Sequence, residues 1–468
     1  MALNSPFPPL RIPDQDVWDF LFDRPDAHNS EKVLFTSEDL SQRYTASAVR
    51  ETALRFGDAL QRHFSWRKGH VLAVVSANSV HLPPVIWGTL YIGGIVSPAS
   101  HTYGSRELEH QLRDSGASAI VTQQPFLPAV LKAASAIGIP HGHIVLLPDA
   151  RTCTSPFAPT GDNLEFSELV QSGRRGPVPR ARLDPRTDIA FLVYSSGTTG
   201  LPKGVELTHR NIVSNVLMFD ATSSINQAGH SEDVVLAFLP FYHIYGLTIL
   251  MHHPFHKRAR VVVMPRFELS LFCKAIESHR VSVAYIVPPV AAQLAQSSLP
   301  AQHDLSSIKY MTSGAAPLSD QLCKALFARW GLKLVQGYGL SETSPAVFMM
   351  CLDDFPTAMD TVGRLLPNQQ IKLLDIDDST IQVTVADHPG EICVRGPNVF
   401  RGYHNNDSAT RAAFTPDGFF RTGDVGVIDA FGYMRITDRI KELIKYKGFQ
   451  VAPAELEGLL LGHDAVAD

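Results

Sequence analysis

Short apolar runs alternate with stretches of helical spacing along most of this chain. Val71–Ser76 (VLAVVS) is a compact apolar run, as expected of a strand buried on both faces. Pro84–Gly93 follows with helical spacing and a proline in its first turn. The most apolar stretch, Val85–Ala99, is shorter than the ~20 residues a membrane span needs, and Gly88, Gly93, Gly94 and Pro98 interrupt it. It reads as a buried helix running into a strand. Ala119–Thr122 and Ile144–Leu147 are predicted strands, with a predicted helix at Phe126–Ile137 between them. Asp188–Tyr194, Val234–Leu239, Arg260–Met264, Val281–Val287 and Ile308–Thr312 are further predicted strands. Leu269–Arg280 and Ser319–Trp330 carry helical patterns.

This alternation predicts an α/β fold with largely parallel sheets. Pro, Gly, Ser and Arg crowd Thr154–Arg186, which reads as a surface connection between subdomains. After about Phe348 the apolar runs become short and turn-bounded, as in Ile371–Leu374, Glu391–Arg395 and Gly432–Ile436. They predict a smaller β-rich subdomain. For 468 residues, at roughly 100–200 per domain, two to four such units are expected. The texture divides approximately into 1–180, 181–348 and 349–437.

Composition excludes some functions. The chain is 45% hydrophobic and 19% charged, ordinary for a globular protein. A net charge of −5 supplies no basic field for nucleic acid or an anionic membrane. Five cysteines (Cys153, Cys273, Cys323, Cys351 and Cys393) show no CxxC spacing, and an odd number cannot all pair within one chain. Reduced thiols in an intracellular compartment are expected. The opening MALNSPFPPLRIPDQ lacks the basic and apolar regions of a secretory signal.

The most informative segment is Tyr194–Val205 (YSSGTTGLPKGV), which follows a predicted strand. Its glycines permit a tight turn that exposes successive backbone N–H groups to phosphate oxygens. Ser195, Ser196, Thr198 and Thr199 add hydroxyl donors, and Lys203 adds positive charge. This is the chemistry of a polyphosphate cradle. It is not a Walker A loop, because Pro202 precedes the lysine and Gly204 follows it. GxGxxG also fails: Gly337-Tyr338-Gly339 has Glu342 where the third glycine belongs, which makes a dinucleotide oxidoreductase remote. GxSxG fails at the last position of Gly339-Leu340-Ser341-Glu342-Thr343.

SSGTTGLPKG resembles the signature loop of the adenylate-forming superfamily, which includes acyl-CoA synthetases, 4-coumarate–CoA ligases, luciferases and nonribosomal adenylation domains. Further boxes follow in the family's order: LPFYHIYGL at Leu239–Leu247, SGAAPL at Ser313–Leu318, QGYGLSETSP at Gln336–Pro345, RTGD at Arg421–Asp424 and DRIKELIKYKGFQ at Asp438–Gln450. The texture is nearest the 4-coumarate–CoA ligase-like branch, and the resemblance covers roughly Tyr44 to Asp468.

The resemblance implies a large N-terminal domain (1–437) of two α/β subdomains and a smaller β-rich one. The hinge and the start of a small α+β C-terminal domain would follow at 438–468. It implies that ATP is held by Ser195, Ser196, Gly197, Thr198, Thr199, Gly200 and Lys203. Gln336, Gly337, Tyr338, Gly339, Ser341, Asp424 and Arg439 would hold its adenosine end. Tyr338 would lie against adenine, and Asp424 would take the ribose hydroxyls. Glu342 and Thr199 would carry Mg²⁺, for which hard oxygen ligands suit. His243, Tyr245, Ile249, Ala315, Gly337 and Pro345 would line the acid's site, with His243 beside the reacting carboxylate. Arg266, Lys445, Lys447, Gly448 and Gln450 would face coenzyme A, and Lys441 would sit at the interdomain hinge. Lys203, His243, Glu342 and Lys441 are the expected catalytic set.

The implied reaction activates a carboxylic acid to an acyl-adenylate and transfers the acyl group to CoA. No covalent nucleophile is needed; positioning and charge stabilisation suffice. Only 29 residues follow Arg439 (468 − 439), so most of the family's small domain lies beyond the chain as written. The polypeptide is therefore expected to bind ATP but adenylate poorly, with Asp438–Asp468 poorly packed. Phe241-Tyr242-His243 lacks the Asp that would bind an amino acid's amine, which disfavours amino-acid activation. Ile249 stands where 4-coumarate ligases often carry a small polar residue, which favours a more apolar aryl or medium-chain acyl group. A luciferase-like adenylating oxygenase and a non-catalytic nucleotide-binding remnant are the alternatives. The expected protein is a cytoplasmic or peroxisomal monomer or weak homodimer, with small-molecule partners and no nucleic acid. His252, His253 and His256 lack acidic or Cys neighbours in sequence and are expected to face solvent rather than a metal.

Overall fold

The computed structural model describes residues 2–23, 31–148, 164–195, 202–223, 232–384 and 386–440, together with the strand backbone at 444–446 and 449–451. Among these residues the strands form three large sheets and one short ribbon. An eight-stranded sheet runs in the order Gly402–Tyr403, Lys203–Thr208, Ile189–Ser195, Ile95–Ala99, Val71–Val75, Ala117–Thr122, Ile144–Leu146 and Leu164–Glu165. Its last six strands are parallel. The two that flank the glycine-rich loop pair antiparallel, since a short loop cannot make a parallel crossover. A nine-stranded sheet has a parallel centre running from Val33–Ser37 to Leu334–Gly339 and antiparallel edges. A six-stranded antiparallel sheet holds Gln370–Leu374, Gly390–Arg395, Phe420–Ile428 and Met434–Arg439.

Helices cover the parallel strands, as their buried apolar runs demand. Ala46–His63 is capped by Thr45, whose Oγ1 accepts from the Ala48 N–H at 3.1 Å. This helix packs on Leu82–Tyr91 almost backbone to backbone: a Cβ on Gly88 would lie 2.3 Å from the Ala53 carbonyl oxygen. Only glycine allows that approach. Beneath them Phe22, Trp87 and Phe255 interlock, with ring centres 4.5–5.4 Å apart.

The sheets interleave along the chain rather than following the divisions at 180 and 348. Val33–Ser37 and Arg43–Thr45 join the nine-stranded sheet, Ile189–Ser195 and Lys203–Thr208 join the eight-stranded one, and Leu3–Asn4 edges the third. The connection read at Thr154–Arg186 contains the strand Leu164–Glu165 and the helix Phe166–Ser172. Phe166 and Leu169 are buried there, with Phe166 5.8 Å from the Phe56 ring, so apolar burial overrides the turn-rich composition around them. The histidine expectation is also corrected. His252 and His253 are fully buried, and His253 Nε2 donates to Asp220 at 3.1 Å, a partner thirty-three positions away that local sequence cannot reveal.

Candidate active site

A cavity of about 1110 Å³ lies where the ends of the three sheets converge. One end of it is built on the strands that flank the glycine-rich loop. Lys203 stands opposite Ser195 in register, and both side chains line the cavity. Ser196, Gly197, Thr198, Thr199 and Gly200 lie outside the described residues. The helix Ser105–Ser115 ties down both ends of the loop. Tyr194 donates its hydroxyl to Asp114 Oδ2 at 2.6 Å, and His110 Nε2 donates to the Pro202 carbonyl at 3.1 Å. Glu342 projects from the turn Ser341–Thr343 into the same end and is 8% exposed. Its Oε1 accepts from the Tyr403 hydroxyl at 3.0 Å and from Ser195 Oγ at 3.3 Å. Burial raises the Glu342 carboxyl above its ordinary range, and these two donors pull the other way.

A second end pairs two sheets. Tyr338 donates to Asp424 Oδ2 at 2.6 Å, and Arg439 Nε donates to Asp424 Oδ1 at 3.2 Å. Asp424 and Arg439 face each other across neighbouring strands. Burial, and then the Asp424 charge, push the Tyr338 hydroxyl far up, so it stays a donor. Gln336 is buried and donates to the Met359 carbonyl at 2.6 Å. Gly339 is forced: a Cβ there would meet the Pro345 carbonyl oxygen at 2.1 Å. Gln336, Gly337, Gly339, Ser341 and Pro345 all line the cavity.

A third, more apolar end opens beyond His243 and Tyr245. Gly246–His252 is a π-helix that carries Ile249 into the wall, a local widening that recurs at functional sites. Tyr245 donates its hydroxyl to the Thr312 carbonyl at 3.2 Å, and its ring packs on Gly314, where a Cβ would lie 3.3 Å away. Phe219, Ile249, Ala315 and Leu318 add apolar surface. His243 is exposed to the cavity, and its Nδ1 accepts from the Tyr245 N–H at 3.3 Å, which is the bond of a neutral ring.

Sequence-predicted residues separate into three groups. Ser195, Lys203, His243, Tyr245, Ile249, Ala315, Gln336, Gly337, Tyr338, Gly339, Ser341, Glu342, Pro345, Asp424 and Arg439 converge on the one cavity. Arg266 sits on an exposed bend outside its lining. Lys441, Lys447 and Gly448 lie outside the described residues, while Lys445 and Gln450 stand opposite each other on the ribbon Ile444–Tyr446/Phe449–Val451. Sequence reading missed Tyr403, Asp114 and Phe219. A tyrosine in Gly402-Tyr403-His404 carries no spacing signal, because its partners are sixty-one positions and more away.

A family model described as AMP-binding enzyme matches residues 22–404. The chain belongs to this family. It is 36% identical over 481 residues to a probable 4-coumarate–CoA ligase 1 of Dictyostelium discoideum, covering 99% of this chain and 84% of that protein. Among solved structures, ATP-bound MatB of Rhodopseudomonas palustris aligns with a TM-score of 0.83 at 26% identity, covering 96% of this chain and 83% of that one. The anthranilate CoA ligase AuaEII with anthranoyl-AMP shares the fold at a TM-score of 0.87 and 23% identity, covering 98% and 84%. Among the described residues of this AMP-binding enzyme, no helix is long and apolar enough to cross a membrane.

Proposed function

We propose that this AMP-binding enzyme activates an apolar aryl or medium-chain acyl carboxylic acid. Its family and its CoA-ligase relatives make it an AMP-forming acid–thiol ligase. A carboxylate oxygen attacks the α-phosphorus of ATP, the bond to pyrophosphate breaks, and an acyl-adenylate forms. The CoA sulfur then attacks the acyl carbon, the thiol proton is lost, and AMP departs with the electrons of the broken C–O bond.

In this reading Lys203 and the loop amides hold the phosphates, and Asp424, held by Tyr338 and Arg439, accepts from the ribose hydroxyls. Neutral His243, whose Nδ1 accepts from the Tyr245 N–H at 3.3 Å, packs beside the reacting carboxylate without competing for its charge. The residues fit Mg²⁺. Glu342 offers a buried carboxylate whose acceptor capacity two hydroxyls only partly use, and one carboxylate with substrate phosphates is a usual Mg²⁺ environment. Glu342, with Thr199, would hold the ion, which when bound neutralises phosphate charge.

The observation that carries the acid class is the apolar acyl end. Ile249 faces it, and the Tyr245 hydroxyl is already spent on Thr312. A phenolic acid would bury its hydroxyl there at a cost of about 1–3 kcal/mol if unpaired. The names of the relatives favour 4-hydroxycinnamate as the second reading. ATP–pyrophosphate exchange with cinnamate, benzoate, octanoate and 4-hydroxycinnamate tests both. Preference for the unsubstituted acids supports the proposal, and efficient use of 4-hydroxycinnamate overturns it.

A further inference from the structure

The geometry points to Tyr403 as a positioning residue that joins the two charged groups of the phosphate end, Lys203 and Glu342. This rests on the reading that both groups face the nucleotide's phosphates. Tyr403 lies on the two-residue strand Gly402–Tyr403, paired antiparallel with Lys203–Thr208, so that Val205 stands opposite it. Its hydroxyl donates to Glu342 Oε1 at 3.0 Å, and the Lys203 ammonium lies 5.1 Å from the centre of its ring. One side chain therefore offers a donor to the carboxylate and a π face to the cation.

Its own position is fixed by the backbone around it. The Tyr403 N–H donates to Thr410 Oγ1 at 2.9 Å, and the Phe400 ring packs against it at 4.9 Å. The Phe400 N–H donates to the Glu342 carbonyl at 2.8 Å, and the His404 N–H donates to the Gly204 carbonyl at 2.8 Å. The segment 400–404 thus staples the turn that bears Glu342 to the strand that bears Lys203. Lysine is a point charge on a flexible four-carbon stem. A fixed aromatic face beneath it narrows its range, and the hydroxyl aims the carboxylate. Both constraints exist before a ligand enters, which is the form preorganisation takes.

The test uses the full chain, with ATP binding in magnesium buffer followed by calorimetry and adenylation followed by ATP–pyrophosphate exchange. Tyr403→Phe keeps the ring and removes the donor. Its ATP Kd should move less than about twofold, while exchange at saturating ATP falls about tenfold, the loss expected for a hydrogen bond to a charged group. Tyr403→Leu also removes the π face and should weaken ATP binding by about two- to fivefold. In a Lys203→Met background Tyr403→Leu should no longer change ATP affinity. In a Glu342→Gln background Tyr403→Phe should no longer change exchange. Effects that multiply in both backgrounds, or equal losses for Phe and Leu, overturn the inference. If Lys203→Met and Glu342→Gln alone leave binding and exchange unchanged, the reading of the phosphate end has failed as well. Should Tyr403→Leu not fold, the isosteric Phe arm with Glu342→Gln decides.

Discussion

Acidification from pH 7 to pH 5 is expected to weaken the fold through three buried histidines. His81, His209 and His252 are 9%, 1% and 0% exposed. Desolvation draws each from its ordinary value of 6.5 down to about 4. The folded state therefore keeps them neutral where the unfolded chain binds protons. A depressed folded pKa gives stability that is complete above 6.5 and is lost as pH falls toward 4. Between pH 7 and pH 5 each histidine forfeits about 2 kcal/mol, and the three together about 5–6 kcal/mol. That is comparable with the whole net stability of an ordinary domain, about 5–15 kcal/mol. His252 isolates the effect. It lies 5.8 Å from the Trp87 ring, and its Nδ1 donates to the Leu247 carbonyl at 2.6 Å. Gln at this position keeps a donor but does not titrate. Urea unfolding followed by tryptophan fluorescence at pH 7, 6 and 5 should show His252→Gln losing about 2 kcal/mol less than the native chain over that interval. Carboxylates titrate alike in both proteins and cancel. Parallel pH dependences would refute the reasoning.

Asp424→Asn weakens ribose capture and strips the charge from the Tyr338 and Arg439 contacts, so the KM for ATP should rise at least tenfold, matching about 1.5–3 kcal/mol for a charged hydrogen bond; an unchanged KM would remove Asp424 from the nucleotide site. Ile249→Ser should raise kcat/KM for 4-hydroxycinnamate relative to cinnamate by about tenfold, because a buried phenol gains a partner worth about 1–2 kcal/mol. A selectivity that does not move would place the acid elsewhere in the cavity. Gly339→Ala puts a methyl 2.1 Å from the Pro345 carbonyl oxygen, a backbone clash worth about 1–3 kcal/mol. A lowered Tm together with lost ATP binding checks it.

The chain's local periodicity was enough for the core elements. Val71–Val75, Leu127–Ile137 and Leu269–His279 lie within a residue or so of their apolar patterns, because burial on one or both faces writes itself into spacing. The glycine-rich loop stood out for a related reason: glycines, hydroxyls and charge are concentrated within a few consecutive residues. Boundaries set by caps were harder, as at Leu82–Tyr91, which begins two residues before the predicted start.

What tertiary structure alone decided is the set of contacts between distant segments. Sheet membership is one: Val33–Ser37 pairs with Arg260–Val263, and no local pattern names a strand's neighbour. Burial of His252 and His253 is another, since their environment comes from Trp87, Phe191 and Asp220 on other elements. Tyr403 is the clearest case. Its residue type invited no functional reading, and its place between Lys203 and Glu342 exists only because one edge strand pairs beside the loop. Sequence patterns record what each segment must do by itself; a charge, a ring and a carboxylate spread over some two hundred residues acquire a common task only when packing brings them within a few ångströms.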